Sequence, residues 1–178
     1  MAENSTIYKV DLHVSDMDRN YFNDHALTLA KHPSENEQRL MVRLLAFALY
    51  ADDQLNFGKG VSTKEEPTLW LKDLSGDIQT WIEIGQPDEK SIRKACGRSN
   101  KVVVILYGNN TDAWWNKNMA NCKKRKNLQI IQLELEVTRA LKPMAQRNMD
   151  MTCTIDEGHI SIFCDEENYS FSPTILLP

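Results

Sequence analysis

The sequence predicts an α/β fold, one domain over residues 1–178 built around a mixed sheet, and three observations carry that expectation. Ser34, followed three residues later by Glu37, forms a capping signal, and Leu40, Met41, Leu44, Leu45, Ala48 and Leu49 then recur at helical spacing. The run Val102–Leu106 is continuously apolar after a second helical stretch, as a strand covered on both faces would be. Short alternating segments at both ends of the chain read as strands and hairpins. At 178 residues and 20.5 kDa the chain is long enough to bury one sizeable core.

The elements follow in order. Thr6–Val14 reads as a strand on its β-branched content, Asp16–Asn20 as a turn, and Tyr21–Leu29 as a returning strand that ends before His32-Pro33. A helix spans Ser34–Tyr50. After a short Leu55–Phe57 segment and a loop through Gly58 and Gly60 come the strands EEPTLWLKD and DIQTWIEIG, joined by the turn DLSGD. Asp88 caps a helix to about Cys96, with Gly97 placed to end it. The strand KVVVILYG follows, then a helix over Thr111–Asn121, a strand over Leu128–Leu133 and a last helix over Glu134–Arg147. Alternating stretches at Met149–Ile155, His159–Phe163 and Tyr169–Leu176 form the tail, with Asp156-Glu157-Gly158 as a hairpin turn. The tail is expected to join the N-terminal strands in the mixed sheet.

Composition narrows the function classes. With 42% hydrophobic and 26% charged residues and no run of about 18 apolar residues, the chain reads as a soluble protein with no membrane span. MAENSTIYKV has neither basic leader nor apolar core of an export signal, so a cytoplasmic protein is expected. Cys96, Cys122, Cys153 and Cys164 lack the close pairs of zinc or thiol redox motifs and read as reduced, buried thiols. The sequons at Asn4, Asn109 and Asn168 then carry no glycan. A formal charge of −4 argues against wrapping nucleic acid by charge alone, although Lys123, Lys124, Arg125 and Lys126, with Trp114 and Trp115, form a local basic surface. That cluster reads first as a solvated loop beside core-facing tryptophans.

The acidic strand pair is the main chemical signal. If the DLSG turn closes an antiparallel hairpin between Leu74 and Ser75, opposed residue numbers sum to 149 and Glu66 faces Glu83. Alternation then puts Leu69, Leu71, Ile78, Ile82 and Ile84 on one side and Glu66, Thr68, Trp70, Trp81 and Glu83 on the other. Opposed carboxylates repel, so protonation, a cation or a divalent metal should offset them. Mg²⁺ or Mn²⁺ with substrate phosphate is the functional reading; solvation at a sheet edge, or pairing with Lys90 or Arg93, is the structural one.

TIYK at Thr6–Lys9, DMDRNYF at Asp16–Phe22, LTLAKHPSE at Leu27–Glu35 and WIEIGQPDEKSIRKAC at Trp81–Cys96 closely resemble the YaeQ family, in its order and spacing and over essentially the whole chain. The resemblance implies a variant of the PD-(D/E)XK nuclease-like fold, the restriction-endonuclease-like order of helix, three strands, helix and strand, which agrees with the reading from Ser34 to Tyr107. N- and C-terminal hairpins flank that core. In such folds an acid on the second strand and another on the third hold a divalent ion, and a lysine stands two residues after the latter. Glu66 and Glu83 take the acid places and Gly85 takes the lysine's.

The same resemblance makes Lys94, or Lys90 one helical turn away, and Gln86 the candidates to restore the missing group, which would orient the attacking water and stabilise developing charge. Glu35 matches a position where such folds sometimes carry a further acid. Asp77 suits the role less, lying at the turn. Each has an ordinary reading too: Glu35 as an acid at a helix start, Lys94 as a solvated lysine. His32 reads as local hydrogen bonding, Arg19 and Arg39 as phosphate contacts or surface ion pairs, and Trp70 and Trp81 as packing or base-stacking groups. The implied activity is metal-dependent cleavage of nucleic acid by a nuclease-like phosphodiesterase. The alternative, suggested by Gly85 and the acidic charge, is a non-catalytic module binding nucleic acid or a protein partner.

Overall fold

A computed structural model describes residues 4–59 and 65–178 of the chain. Among the described residues it is a mixed α+β structure with four α-helices and two mixed sheets. The chain divides into two compact units, one running through Ala51 and including Glu136–Pro173, the other formed by Asp52–Leu135 and Thr174–Pro178.

In the first unit, β1 (Thr6–Asp16) and β2 (Tyr21–Lys31) form the predicted hairpin, with Thr6 opposite Lys31 and Asp16 opposite Tyr21. The tail strands β8 (Asn148–Asp156), β9 (His159–Cys164) and β10 (Glu167–Phe171) join them in the order β10-β9-β8-β1-β2, as expected. β1 and β8 run parallel and the other pairs antiparallel. Strict alternation buries Val10, Leu12 and Val14 with Met149, Met151 and Cys153 on one face and leaves Lys9, Asp11 and Asp150 on the other. The hairpin turn at Glu157-Gly158 has positive φ at both residues, 50° and 75°, which glycine permits at the second. Asp18 holds that turn, accepting from the Glu157 and Gly158 amides at 2.7 and 2.9 Å.

Helix α1 (Glu37–Leu49) begins later than the capping signal suggested. Asn36 is the N-cap, its side chain accepting from the Arg39 amide at 2.8 Å, while the Ser34 hydroxyl is engaged with His32 Nδ1 at 2.7 Å. An Asx cap competes well with serine, so a two-residue shift in the start is cheap. Leu40–Ala48 are all buried, including Arg43. Complete burial of Leu40 and Leu44 stabilises by about 1.5–3 kcal/mol each. The last helix is shorter than expected: α4 covers Leu135–Leu141, and Lys142–Met144 tighten into a 3-10 turn because Pro143 supplies no amide.

The second unit carries β3 (Leu55–Phe57), β4 (Leu69–Lys72), β5 (Ile78–Ile84), β6 (Ser99–Leu106), β7 (Leu128–Gln132) and β11 (Thr174–Leu177), in the order β11-β7-β6-β5-β4-β3. The strand expected over Tyr169–Leu176 thus breaks at Pro173, and its second half pairs with β7 rather than with the tail. Helices α2 (Glu89–Arg98) and α3 (Thr111–Cys122) make the crossovers between the parallel strands β5, β6 and β7. Asp88 caps α2 through the Ser91 amide at 2.7 Å, as read from the sequence, but the helix continues through Gly97 to Arg98. Trp81, Ile92, Ala95, Val102, Val104, Leu106, Cys122, Leu128 and Ile130 form the core beneath both helices, with Trp114 and Trp115 at its margin. No helix among the described residues is long and apolar enough to cross a membrane.

Candidate functional site

The β4–β5 ladder pairs Leu69 with Ile82, Trp70 with Trp81 and Leu71 with Thr80, so opposed numbers sum to 151, not 149, and a bulge follows at Lys72. The bulge takes up the slack that an unbroken ladder through DLSG would have needed. A two-residue slip preserves the faces, since side chains alternate with period two. Thr68, Trp70, Trp81 and Glu83 therefore remain on one side, as read from the sequence. The partner of Glu83 changes. Continuing the register places Thr68, not Glu66, across from it, and Glu66 lies in the segment leading into β4.

Glu83 stands half-buried near the C-terminal end of β5. The Thr68 hydroxyl donates to its Oε2 at 3.2 Å and the Trp81 indole N–H to its Oε1 at 3.0 Å. Both of these donors come from neighbouring positions of the same sheet face, so the strand geometry contributes to orienting the carboxylate. Glu66 accepts from the Lys59 amide at 2.9 Å, and the Lys59 ammonium is 3.8 Å away. Gly58 belongs to this arrangement: its amide donates to the Thr68 carbonyl at 2.9 Å, and a Cβ there would run into the Pro67 carbonyl oxygen. The absence of a side chain lets the β3 end approach the Glu66–Thr68 backbone.

Gly85 explains the departure from the E-x-K pattern. Its φ is 100°, and its amide donates to the Ile105 carbonyl at 2.9 Å, which ties the end of β5 to β6. A Cβ would meet only Tyr107 Cε1 at 3.9 Å, so the obstacle to lysine is the backbone conformation and not space. Gln86 spans the gap that follows, its amide donating to the Asn109 carbonyl at 2.7 Å and the Tyr107 carbonyl at 3.3 Å. It thereby fixes the β6–α3 loop beside the end of β5.

Lys94 turns to a different acid. Its ammonium lies 2.9 Å from Glu65, and Arg98 approaches the same carboxylate at 3.6 Å. The hydrogen bond from Lys94, then its charge and that of Arg98, hold the Glu65 carboxyl below its ordinary range. Sequence reasoning passed over Glu65; the acidic dyad Glu65-Glu66 was the only signal for it. Trp81 belongs chiefly to the core, and Trp70 meets it edge-on at 6.2 Å between centroids. Trp114 donates to the Pro87 carbonyl at 2.9 Å, and Arg125 pairs with Glu89 at 3.2 Å, so part of the basic cluster after α3 is structural.

Glu35, described within the first unit, is 6% exposed. Arg43 donates to both its oxygens, Nε to Oε1 at 2.7 Å and Nη2 to Oε2 at 2.9 Å, and also reaches the Ala30 carbonyl. Arg39 lies 3.7 Å from the same acid. Arg19 pairs with buried Asp16 at 2.6 Å and donates to the Ala51 carbonyl. These arginines hold buried acids.

Among the described residues no three acidic, histidine or cysteine side chains converge into a metal cage. Glu66 and Glu83 offer two carboxylates, which is the number Mg²⁺ takes from protein when substrate phosphate and water complete its shell. The register sets Thr68 rather than Glu66 across from Glu83, and Glu66 is engaged by Lys59.

Comparison with known proteins agrees with the strings that first suggested a family. A family model described as YaeQ protein matches residues 1–173. Relatives bearing the name uncharacterized protein YaeQ occur in Escherichia coli (strain K12), 39% identical over 98% of this chain and 97% of the relative, and in Salmonella typhi, 42% identical over 90% and 89%. The crystal structure of YaeQ protein from Xanthomonas axonopodis pv. citri matches with a TM-score of 0.95 at 45% identity, covering 97% of this chain and 98% of that one. That of YaeQ protein from Pseudomonas syringae matches at 0.93 and 33%, covering 98% and 97%. With nearly all of its length matched in both sequence and fold, the chain belongs to the YaeQ family.

Proposed function

We propose that this protein is a metal-dependent phosphodiesterase of nuclease type acting on nucleic acid, with Glu66 and Glu83 as the carboxylates that hold Mg²⁺ or Mn²⁺. One observation carries the reading: Glu83 stands near the C-terminal end of β5, a strand parallel to β6, with the Thr68 hydroxyl and the Trp81 indole among the donors to its carboxylate. When bound, the ion would lower the pKa of a water and offset charge developing on the phosphoryl oxygens. Thr68 and Trp81 help to orient the Glu83 carboxylate. Gln86 holds the adjacent loop, and Lys94, exposed and paired with an exposed acid, is able to exchange Glu65 for a phosphate. A cytoplasmic setting suits the four free cysteines, of which burial pushes Cys153 up to about 12 and Cys164 to about 11.

The test is cleavage of labelled single- and double-stranded substrates with Mn²⁺. Glu83→Gln, which keeps the side-chain volume, should lower the rate at least about 100-fold, the scale of losing a group that positions charge in the transition state. Unchanged cleavage in that variant refutes the assignment.

A second reading, a binding module without catalysis, is favoured by a specific observation: Gly85 occupies the lysine position with a backbone that lysine tolerates poorly, and Lys94 is engaged by Glu65. Under that reading wild-type protein binds nucleic acid or a protein partner and cleaves nothing with any divalent ion.

A further inference from the structure

Helix α2 carries Lys90, Arg93, Lys94 and Arg98 against a single acid, Glu89, in a chain whose formal charge is −4. Ile92 and Ala95 are the buried positions, and all four cations lie on the exposed face. Lys90, Lys94 and Arg98 recur every fourth residue, a row of about 12 Å along the helix axis. Lys90 and Arg93 form no ion pair with any described residue. Lys94 and Arg98 share one exposed acid, Glu65, which an incoming phosphate is able to displace.

The row leads to two tryptophans, Trp81 in the core and half-buried Trp70 beside it. The Arg98 guanidinium sits 5.5 Å from the Trp81 ring centroid, Trp81 meets Trp70, and the Lys72 ammonium lies 3.7 Å over half-buried Trp70. Cations tracking a backbone beside a ring that accepts a base is the arrangement by which single strands are held without sequence preference. A lipid surface fits poorly, because the exposed α2 positions Lys90, Ser91, Arg93, Lys94, Gly97 and Arg98 include no apolar side chain to insert.

We propose that the outer face of α2, continued by Trp70 and Lys72 of β4, docks a single-stranded nucleic acid, phosphates on the cations and a base on Trp70. The proposal deepens the nuclease reading and rests on it for the strand's destination, since β5, which bears Glu83, leads directly into α2. Docking itself needs no ion.

Binding is therefore measured in EDTA, by fluorescence anisotropy of a labelled oligodeoxythymidylate of about 15 nucleotides, between about 50 and 200 mM salt. Wild type should bind with a steep salt dependence. Lys90→Glu with Arg93→Glu, both exposed, should weaken binding at least about tenfold at the low salt end and flatten the log–log slope by about 1.4, two single-strand phosphate contacts. Lys123→Glu with Lys124→Glu, beyond the end of α3, should cost far less. No salt-dependent binding by wild type, wild-type affinity in the Lys90/Arg93 variant, or an equal loss in the Lys123/Lys124 variant would each overturn the proposal. Binding that follows the expected pattern without Mn²⁺-dependent cleavage removes the nuclease reading and leaves the docking face standing. Cleavage at unchanged KM in the Lys90/Arg93 variant does the reverse.

Discussion

Glu35 and Glu83 are both glutamates held by their surroundings, yet they differ in burial and in the contacts seen around them. In the first unit Glu35 is buried, and a guanidinium grips both of its oxygens. In the second unit Glu83 is half-buried and takes a hydroxyl and an indole N–H. A charge matched by a buried counter-charge gains little from any further cation. The lesson is that deep burial together with a two-point guanidinium grip marks Glu35 as an acid that builds the fold, a mark that motif position alone does not give.

The largest expected effect breaks the first side of that comparison. Glu35→Ala strands the buried Arg43 guanidinium, and removal of one member of a buried pair costs about 3–5 kcal/mol. Chemical denaturation should show this as a large fall in midpoint, while Glu83→Gln shifts it by no more than about 1–2 kcal/mol, the scale of weakened hydrogen bonds. Equal losses in the two variants would erase the distinction. A smaller change sharpens the second side. Gly85→Lys restores the E-x-K spelling but forces a non-glycine residue to φ near 100°, at a cost of roughly 1–3 kcal/mol. The variant should melt lower and cleave no faster than wild type. Faster cleavage would mean that the backbone yields and the lysine finds its place.

How far these features were legible in the sequence differs element by element. Alternation and capping gave the hairpins, the α2 cap at Asp88 and the parallel run Val102–Leu106, because those signals are local. The faces of β4 and β5 were legible even though the register was off by two, since period two tolerates an even slip. The partner of Glu83 was not legible, because a bulge at Lys72 has no strong single-residue signature. The division of strands between two sheets was hidden for a similar reason: Thr174–Leu177 looks like a continuation of β10 until Pro173 is read as a break. Glu35's role needed Arg43, eight residues away on a helix whose pattern otherwise reads as core.

His13 supplies the mildest case, a surface acid pair matched by a cation that pH removes. Its Nδ1 lies 2.7 Å from Asp24 of β2 and its Nε2 3.2 Å from Asp150 of β8. A neutral imidazole has one N–H, so only the imidazolium donates to both carboxylates; the neutral ring must set a lone pair against one of them. Asp11, two residues before His13 on the same face and paired with Asp150 across the ladder, adds further negative charge, and Lys9 is the next cation along β1. The hydrogen bond to Asp24 chiefly raises the His13 pKa above 6.5, with both aspartate charges adding to it and partial desolvation opposing. A folded-state pKa above the unfolded one means the contribution is complete below about 6.5 and is lost as pH rises through the folded value. The groups are exposed, so the effect should be only about 0.2–1 kcal/mol. Thermal melts at pH 6 and pH 8 in low salt should show wild type losing slightly more stability than His13→Asn across that interval. An identical change in both proteins would mean that the imidazolium does not hold β2 to β1 and β8.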